Sequence, residues 1–498
     1  MLSEELSAVA LPPEDEGNDT PQLADVKQKT ISGAASYMGR TLILFLLSMG
    51  ASVFLAAYLS AEEFGVYGVV TQVIGLLTFF SDIGLASALI QKKTRPTVAE
   101  ERTVFTVQQS LSWLIFAITF IVAATHILDA KIGPSGVWLL MALGFSFPLA
   151  SLKTIPSVRL ERRLDFAKLV IPQMVEQLAY NVILIFCAVR GFGVQSYTLA
   201  VLVRSLLGVV SMYFLQRWPI GFAWEKATVR QLVGAGAKFQ LNDLLARVKD
   251  QLFYVVLGLW LPLKEFGYIT FAKQFSFLPY QLTVQNVIAI TFPTYARLQQ
   301  HPHLLKRAIE KTLFFITLLI FPMLVGMCVF LEPLLRVFPR YSKWEPALLT
   351  FILFTLSIGW GAISTPLTNT LNAIGKISVT LKLMVMWTVL TWILTPIAIW
   401  AFGFQGVAIA AFVIAFTSIL PVFEVRKIVP IRVWEEVWRQ GFAAMCMAGV
   451  GLLGMSVWSR SIWWLVVGMS VAGAAYTITM LVVGQQKLLQ EVRSLRQK

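Results

Sequence analysis

The sequence predicts an all-α protein that crosses a membrane many times. Three observations predict it. Of the 498 residues, 57% are hydrophobic and only 14% are charged, which overrides any expectation of soluble domains drawn from length. Apolar runs of 18 or more residues, each long enough to span a bilayer, recur from Thr41 to Gly484. The lysines and arginines gather in alternate connections, as the positive-inside rule requires of a multi-pass chain.

Fourteen spans follow in order, at about 35–59, 64–90, 104–126, 136–157, 168–189, 195–216, 236–261, 267–294, 312–333, 347–370, 377–401, 404–423, 441–458 and 462–484. Residues 1–31 precede them as a polar, acidic tail (Glu14, Asp15, Glu16, Asp19, Asp25) with Pro12 and Pro13, expected to be disordered and cytoplasmic. No cleavable signal peptide is expected there. With that terminus inside, the dense basic stretches Lys92-Lys93-Thr94-Arg95, Arg159 to Arg163 and Arg297 to Lys311 all fall on the cytoplasmic side. An even number of spans returns the C-terminus to the same side. The net charge of +14 then reads as topology and contact with anionic membrane lipid. Nucleic acid is excluded as a partner, because no basic soluble module is present to carry it. Cys187, Cys328 and Cys446 all lie inside spans and imply no disulfide framework.

An internal repeat is visible. Glu63-Phe64-Gly65 opens the second span and Glu265-Phe266-Gly267 the eighth, at an offset of 202. Phe192-Gly193-Val194-Gln195 opens the sixth and Phe402-Gly403-Phe404-Gln405 the twelfth, at an offset of 210. Six spans per repeat keep the two copies in the same orientation, related by an axis along the membrane normal. The expected domains are therefore a tail at 1–31, an N-lobe at 32–218, a C-lobe at 219–428, and two peripheral helices with a tail at 429–498. Two lobes rocking about a central site are the architecture of a transporter.

Enzyme signatures are missing. Gly375-Lys376 lacks the upstream glycine and the hydroxyl residue of a Walker A loop, no Cys/His metal cluster occurs, and no Gly-x-Ser-x-Gly elbow is present. The longest external loop, around Glu332 to Pro346, is too short to fold a catalytic domain, which weighs against a membrane polymerase or ligase of glycans.

The intramembrane polar residues are richer. A charge at the bilayer centre costs roughly 2.5–3.5 kcal/mol even on the lenient insertion scale. Yet the seventh span carries Gln240, Asp243, Arg247, Lys249 and Asp250, and Gln240, Asp243, Arg247, Asp250 and Tyr254 fall on one helical face. That face reads as the wall of a water-filled cavity. The bland alternative is that Asp243–Arg247 and Arg247–Asp250 are local pairs that only make the helix insertable. The eighth span adds Lys273, Gln274, Gln281 and Gln285, the last three spaced 7 and 4 apart as on one face of a regular helix. Asp82 lies in the second span, Glu176 in the fifth and Arg204 in the sixth, and Arg40 begins the first. Glu176 and Arg204 could equally pair as structural glue between neighbouring spans. Several cations set against several acids make a cavity suited to an anion, with carboxylates able to bind a coupling proton or sodium ion. No other cofactor is expected.

Motifs in order then point to a family. The run from Ala57 through Glu63-Phe64-Gly65-Val66-Tyr67 resembles the "LAxxLxxxEFGxY" entry of Wzx-type polysaccharide-transporter flippases. These belong to the multidrug/oligosaccharidyl-lipid/polysaccharide exporter superfamily. Ser81 to Gln91, Arg247 to Leu252 with Phe266-Gly267-Tyr268, Phe292 to Gln299, and Lys343-Trp344 are similar to further segments of that family, in the same order over about residues 30–425. Tyr341-Ser342 departs from it, where members often have glycine. Fourteen spans resemble the branch serving secreted exopolysaccharides such as colanic acid or xanthan. The resemblance implies a flippase of the bacterial inner membrane that carries polyprenyl-pyrophosphate-linked oligosaccharide by alternating access. Polysaccharide polymerase and export machinery would be its partners. Arg247, Lys249, Lys273, Arg204 and Arg40 would hold pyrophosphate, while Asp243, Asp250, Asp82 and Glu176 would balance charge or couple an ion. Gln240, Gln274, Gln281 and Gln285 would line the cavity. The alternatives are a cation-coupled multidrug exporter of the same superfamily and, less well matched, a membrane glycan polymerase or ligase.

Overall fold

A computed structural model describes residues 43–81, 85–92, 94–163, 165–226, 228–229, 251–485 and 487. Arg40, Asp82, Gln240, Asp243, Arg247, Lys249 and Asp250 lie outside the described residues, and with them the first part of the seventh span, 236–250. The described secondary structure is helical throughout. Eight helices among the described residues are long and apolar enough to cross a membrane. The chain divides into two compact units, Met1–Leu59 with Val66–Trp260, and Ser60–Gly65 with Leu261–Lys498.

The first unit contains α1 (Ile43–Tyr58), most of α2 (Ala61–Ser81), α3 (Leu85–Gln91), α4 (Val98–Ala124), α5 (Asp129–Leu152), α6 (Thr154–Arg162), α7 (Phe166–Val189), α8 (Gln195–Leu215) and α9 (Phe253–Trp260). Helix α4 starts on a capping box: Thr97 accepts from the Glu100 amide, and the Glu100 carboxylate accepts from the Thr97 amide. At the ends of these helices the basic residues are engaged. Arg159 grips the buried Glu101 through two bonds of 3.0 and 2.5 Å. Arg162 donates to four carbonyls, those of Leu89, Ile90, Lys92 and Thr94, at 2.7–3.1 Å. Its guanidinium thus satisfies the carbonyls that the end of α3 leaves open.

The second unit contains α10 (Leu263–Ser276), a π-helical turn at Gln281–Gln285, α11 (Asn286–Leu298), α12 (Pro302–Val337), a 3₁₀ segment at Pro339–Ala347, α13 (Leu348–Ala373), α14 (Ile377–Phe402), α15 (Gly406–Ala415), α16 (Leu420–Arg426), α17 (Val433–Leu453) and α18 (Ile462–Val483). The basic stretch Arg297 to Lys311 holds the end of α11 at Leu298 and is helical again from Pro302 onward, where α12 runs for 36 residues. Proline at its first position costs no hydrogen bond and starts that helix. Helices α17 and α18 pack on α12 through Val329, Phe330, Ala443, Met447, Leu465 and Tyr476. Trp458 closes their connection: its indole N–H donates to Gly451 O at 3.0 Å, and Gly454 and Gly468 leave the room its ring fills.

The two Glu-Phe-Gly segments meet inside this unit. A Cβ on Gly65 would overlap the carbonyl of Leu263, and one on Gly267 would overlap that of Ala61. Each carbonyl lies four residues before the opposing glycine, so the contact is reciprocal. Only glycine permits two helix starts to approach this closely. Phe64 lies edge-on to Trp344, with ring centroids 5.0 Å apart, and Phe271 stacks on the same indole at 4.2 Å. The Lys343-Trp344 motif therefore carries a packing role: Trp344 is fully buried over the glycine crossing.

Candidate functional site

In the first unit two helix midpoints and one helix joint bring charge together. Glu176 lies ten residues into α7, so about 15 Å from its start, and Arg204 about 14 Å along α8 at 1.5 Å per residue. Lys153 sits at the joint of α5 and α6. That joint has a local cause. Pro156 has no N–H to give the carbonyl of Leu152, and the hydroxyl of Tyr213 on α8 donates to it instead, at 3.1 Å.

The Glu176 carboxylate binds Lys153 through one oxygen and lies 3.8 Å from Arg204 Nε through the other. The Glu176 and Lys153 side chains are only 12% and 18% exposed, whereas Arg204 is 44% exposed. Gly208 makes the approach possible: a Cβ there would overlap the Glu176 carboxylate. The Arg204 guanidinium stands 5.5 Å from the centre of the Tyr180 ring, a cation–π distance. Nearby, the rings of Tyr67 and Tyr197 stack at 4.0 Å. Gln177, beside Glu176, donates to Ser48 at 2.7 Å and ties α7 to α1. Among the described residues of this cluster, two cations against one carboxylate leave a formal charge of plus one. Such a surplus attracts an anion, and Arg204 is the member with room to contact one.

In the second unit the polar residues lie around an interruption. Helix α10 turns Phe266, Phe271 and Phe275 inward, while Lys273 and Gln274 remain half-buried in its last turn. The chain breaks after Ser276 and winds through the π-helical turn. The spacing of Gln274, Gln281 and Gln285 therefore does not place them on one face, since the one-face argument requires an unbroken α-helix. Gln281 is half-buried and Gln285 exposed. The wide turn is held by side chains: Asn286 donates to the carbonyl of Leu282 at 3.0 Å, and Tyr280 donates to Thr365 on α13 at 3.0 Å. Thr365 passes its own proton to Gly361 O at 2.7 Å. Single π turns within α-helical segments occur often at functional positions.

Sequence reasoning singled out Glu176 and Arg204 but missed Lys153, which lies within the apolar run 136–157 close to the basic loop at 159–163. Its signal was present, a lone cation three residues before a proline in an apolar run. Gly208 carried none, because its role is defined by a residue 32 positions away.

A family model described as "Polysaccharide biosynthesis protein" matches residues 54–348. The succinoglycan biosynthesis transport protein ExoT of Rhizobium meliloti is 26% identical over 307 residues, 61% of this chain and 61% of that protein. The lipopolysaccharide biosynthesis protein WzxC of Escherichia coli is 22% identical over 306 residues, 61% of this chain and 62% of that protein. The chain thus matches less than two thirds of the length of either relative. Among solved structures, the lipid II flippase MurJ in an inward closed conformation superposes with a TM-score of 0.74 over 91% of this chain and all of that one, at 15% identity. An inward-facing multidrug MATE transporter of the MOP superfamily superposes at 0.58, over 77% of this chain and 94% of that one, at 15% identity. These likenesses show the fold, an all-helical one shared with those two transporters.

Proposed function

Because the chain belongs to the polysaccharide biosynthesis protein family, we propose that it is a flippase that carries polyprenyl-pyrophosphate-linked oligosaccharide across the bacterial inner membrane. The proposed topology is fourteen spans with both termini cytoplasmic, and the mechanism alternating access of an N-lobe and a C-lobe about a central site. The precedents are a transport protein of succinoglycan biosynthesis and a flippase of lipid II. The observation that carries the reading is the surplus cation among these apolar helices, where Lys153 and Arg204 share the carboxylate of Glu176. A pyrophosphate group carries about two negative charges and is held by charge-assisted hydrogen bonds from such cations.

In this reading Arg204, Lys273, Arg247, Lys249 and Arg40 receive the phosphates in turn. Glu176, Asp243, Asp250 and Asp82 balance the cations and bind a coupling proton or sodium ion. Gln240, Gln274, Gln281 and Gln285 line the path. An interior-negative potential of 100 mV favours outward movement by about 2.3 kcal/mol per negative charge, so roughly 4–5 kcal/mol for the headgroup. Polysaccharide polymerase and export machinery would take the product onward.

Two measurements test it. Cells lacking the protein are expected to accumulate a lipid-linked oligosaccharide on the cytoplasmic face of the membrane, and unchanged lipid-linked intermediates would refute the reading. Lys273→Arg is expected to keep most export and Lys273→Ala to lose most of it at normal abundance, since lysine acts as a point charge. Normal export by Lys273→Ala and Lys249→Ala together would move the phosphate site elsewhere.

A further inference from the structure

We propose that residues 217–226, which follow α8, form an interfacial anchor seated among the anionic headgroups of the membrane leaflet that borders the basic loops. This inference does not depend on what the protein transports.

Beyond the end of α8 at Leu215 the chain loses helical hydrogen bonding, and it runs without regular structure from Arg217 to Glu225. It is nonetheless fixed to the protein along one side. Trp218 is buried with Leu85, Leu89, Val104, Phe105, Ile155 and Val158, its ring 4.9 Å from that of Phe105. Gly221 lies so close to the Arg102 side chain that a Cβ would overlap the guanidinium. Ala223 N–H donates to Thr106 Oγ1 at 3.2 Å. The other side carries three large apolar side chains in alternation. Ile220, Phe222 and Trp224 are 52%, 69% and 61% exposed. Together these three alternate residues present one exposed apolar edge, from which Phe222 still reaches back to Phe105, ring centroids 5.7 Å apart.

The level of that edge is set by its contacts. It lies against Arg102 and Thr106, where α4 changes from the charged turn Glu100-Glu101-Arg102 to the apolar run that enters the membrane. Aromatic side chains at such a boundary sit among headgroups, with their rings toward the acyl chains. The surrounding charge selects the lipid. Arg217 and Lys226 are exposed on either flank, and Arg102 Nε is buried with no hydrogen-bond partner among the described residues. Of the acids beside them, Glu225 accepts a hydrogen bond from the Thr228 hydroxyl at 2.6 Å, Glu100 is paired with Lys92 and Glu101 with Arg159. Arg217, Lys226 and Arg102 are then left to complement an anionic surface.

The test uses the full-length protein with Cys187, Cys328 and Cys446 replaced by serine, reconstituted in phosphatidylcholine vesicles with or without phosphatidylglycerol. Single cysteines at 219, 220, 222, 224 and 225 carry a nitroxide, and power saturation compares collisions with oxygen and with a water-soluble nickel chelate. Labels at 220, 222 and 224 are expected to collide mainly with oxygen and those at 219 and 225 mainly with nickel, which preserves the alternation. Phosphatidylglycerol is expected to lower nickel access at 222 severalfold, and the combined Arg102→Gln, Arg217→Gln and Lys226→Gln variant to abolish that shift. Nickel access at all five positions would overturn the proposal. Exclusion of both reagents at all five would overturn it in favour of a protein partner covering the segment. An equal depth with and without phosphatidylglycerol would refute the choice of anionic lipid.

Discussion

The two units hold the polar groups among their apolar helices by different means. In the first, charge is held by charge: Glu176 is clamped between Lys153 and Arg204, and Gly208 lets the carboxylate reach them. In the second, the bonds that hold the interruption are neutral: Tyr280 to Thr365, and Asn286 to the carbonyl of Leu282. The difference teaches where substitution is tolerated. An ion pair out of water depends on both partners, because a stranded charge bears the whole desolvation penalty. A neutral bond exchanged for an apolar contact loses far less.

The sharpest way to break this contrast is Glu176→Ala. It strands Lys153 and Arg204, and the expected loss of stability is about 3–5 kcal/mol, read as low membrane abundance and a lowered unfolding temperature in detergent. Glu176→Ala combined with Lys153→Met should recover part of that loss. A fully stable single variant would mean that water reaches the cluster freely and that the two units do not differ.

Gly208→Ala probes the same cluster without removing a charge. The added methyl must push the carboxylate away from its cations, so a loss of about 1–3 kcal/mol is expected. In the second unit, Thr365→Val removes the acceptor of Tyr280 and is expected to cost about 0.5–1.5 kcal/mol. A double-mutant cycle with Tyr280→Phe should show the two effects to be coupled. If Thr365→Val proves as damaging as Glu176→Ala, the neutral network matters as much as the charged one. The smallest effect belongs to Gln285→Leu, an exposed position where stability should change by no more than about 0.5 kcal/mol. Any large loss of export there would then come from the cargo path.

How far this contrast could be read from sequence depends on how local its causes are. Apolar run length and the lysine and arginine bias exposed the all-helical membrane fold, because both are properties of consecutive residues. Glu176 and Arg204 stood out for the same reason, as charges inside apolar runs. Lys153 did not, since its apolar run ends beside a basic loop, and only the bent α5–α6 joint draws it to the carboxylate. The π turn at Gln281–Gln285 is written in Gln-Leu-Thr-Val-Gln, a stretch indistinguishable from ordinary helix. It is tied to the fold by the bond from Tyr280 to Thr365, 85 positions away, which no window of sequence contains. The glycine crossing fell between these cases. The Glu-Phe-Gly repeat was visible, but not that its two copies touch.

Arg162 carries a consequence of another kind. Because one planar guanidinium holds the carbonyls of Leu89, Ile90, Lys92 and Thr94 together, that turn cannot peel open a residue at a time. Opening it releases all four at once, and only a strand so released fits a protease. Lys92 lies inside the clamp, so the rate at which trypsin cuts there is a clock for a single cooperative event, readable in intact membranes without a transport assay.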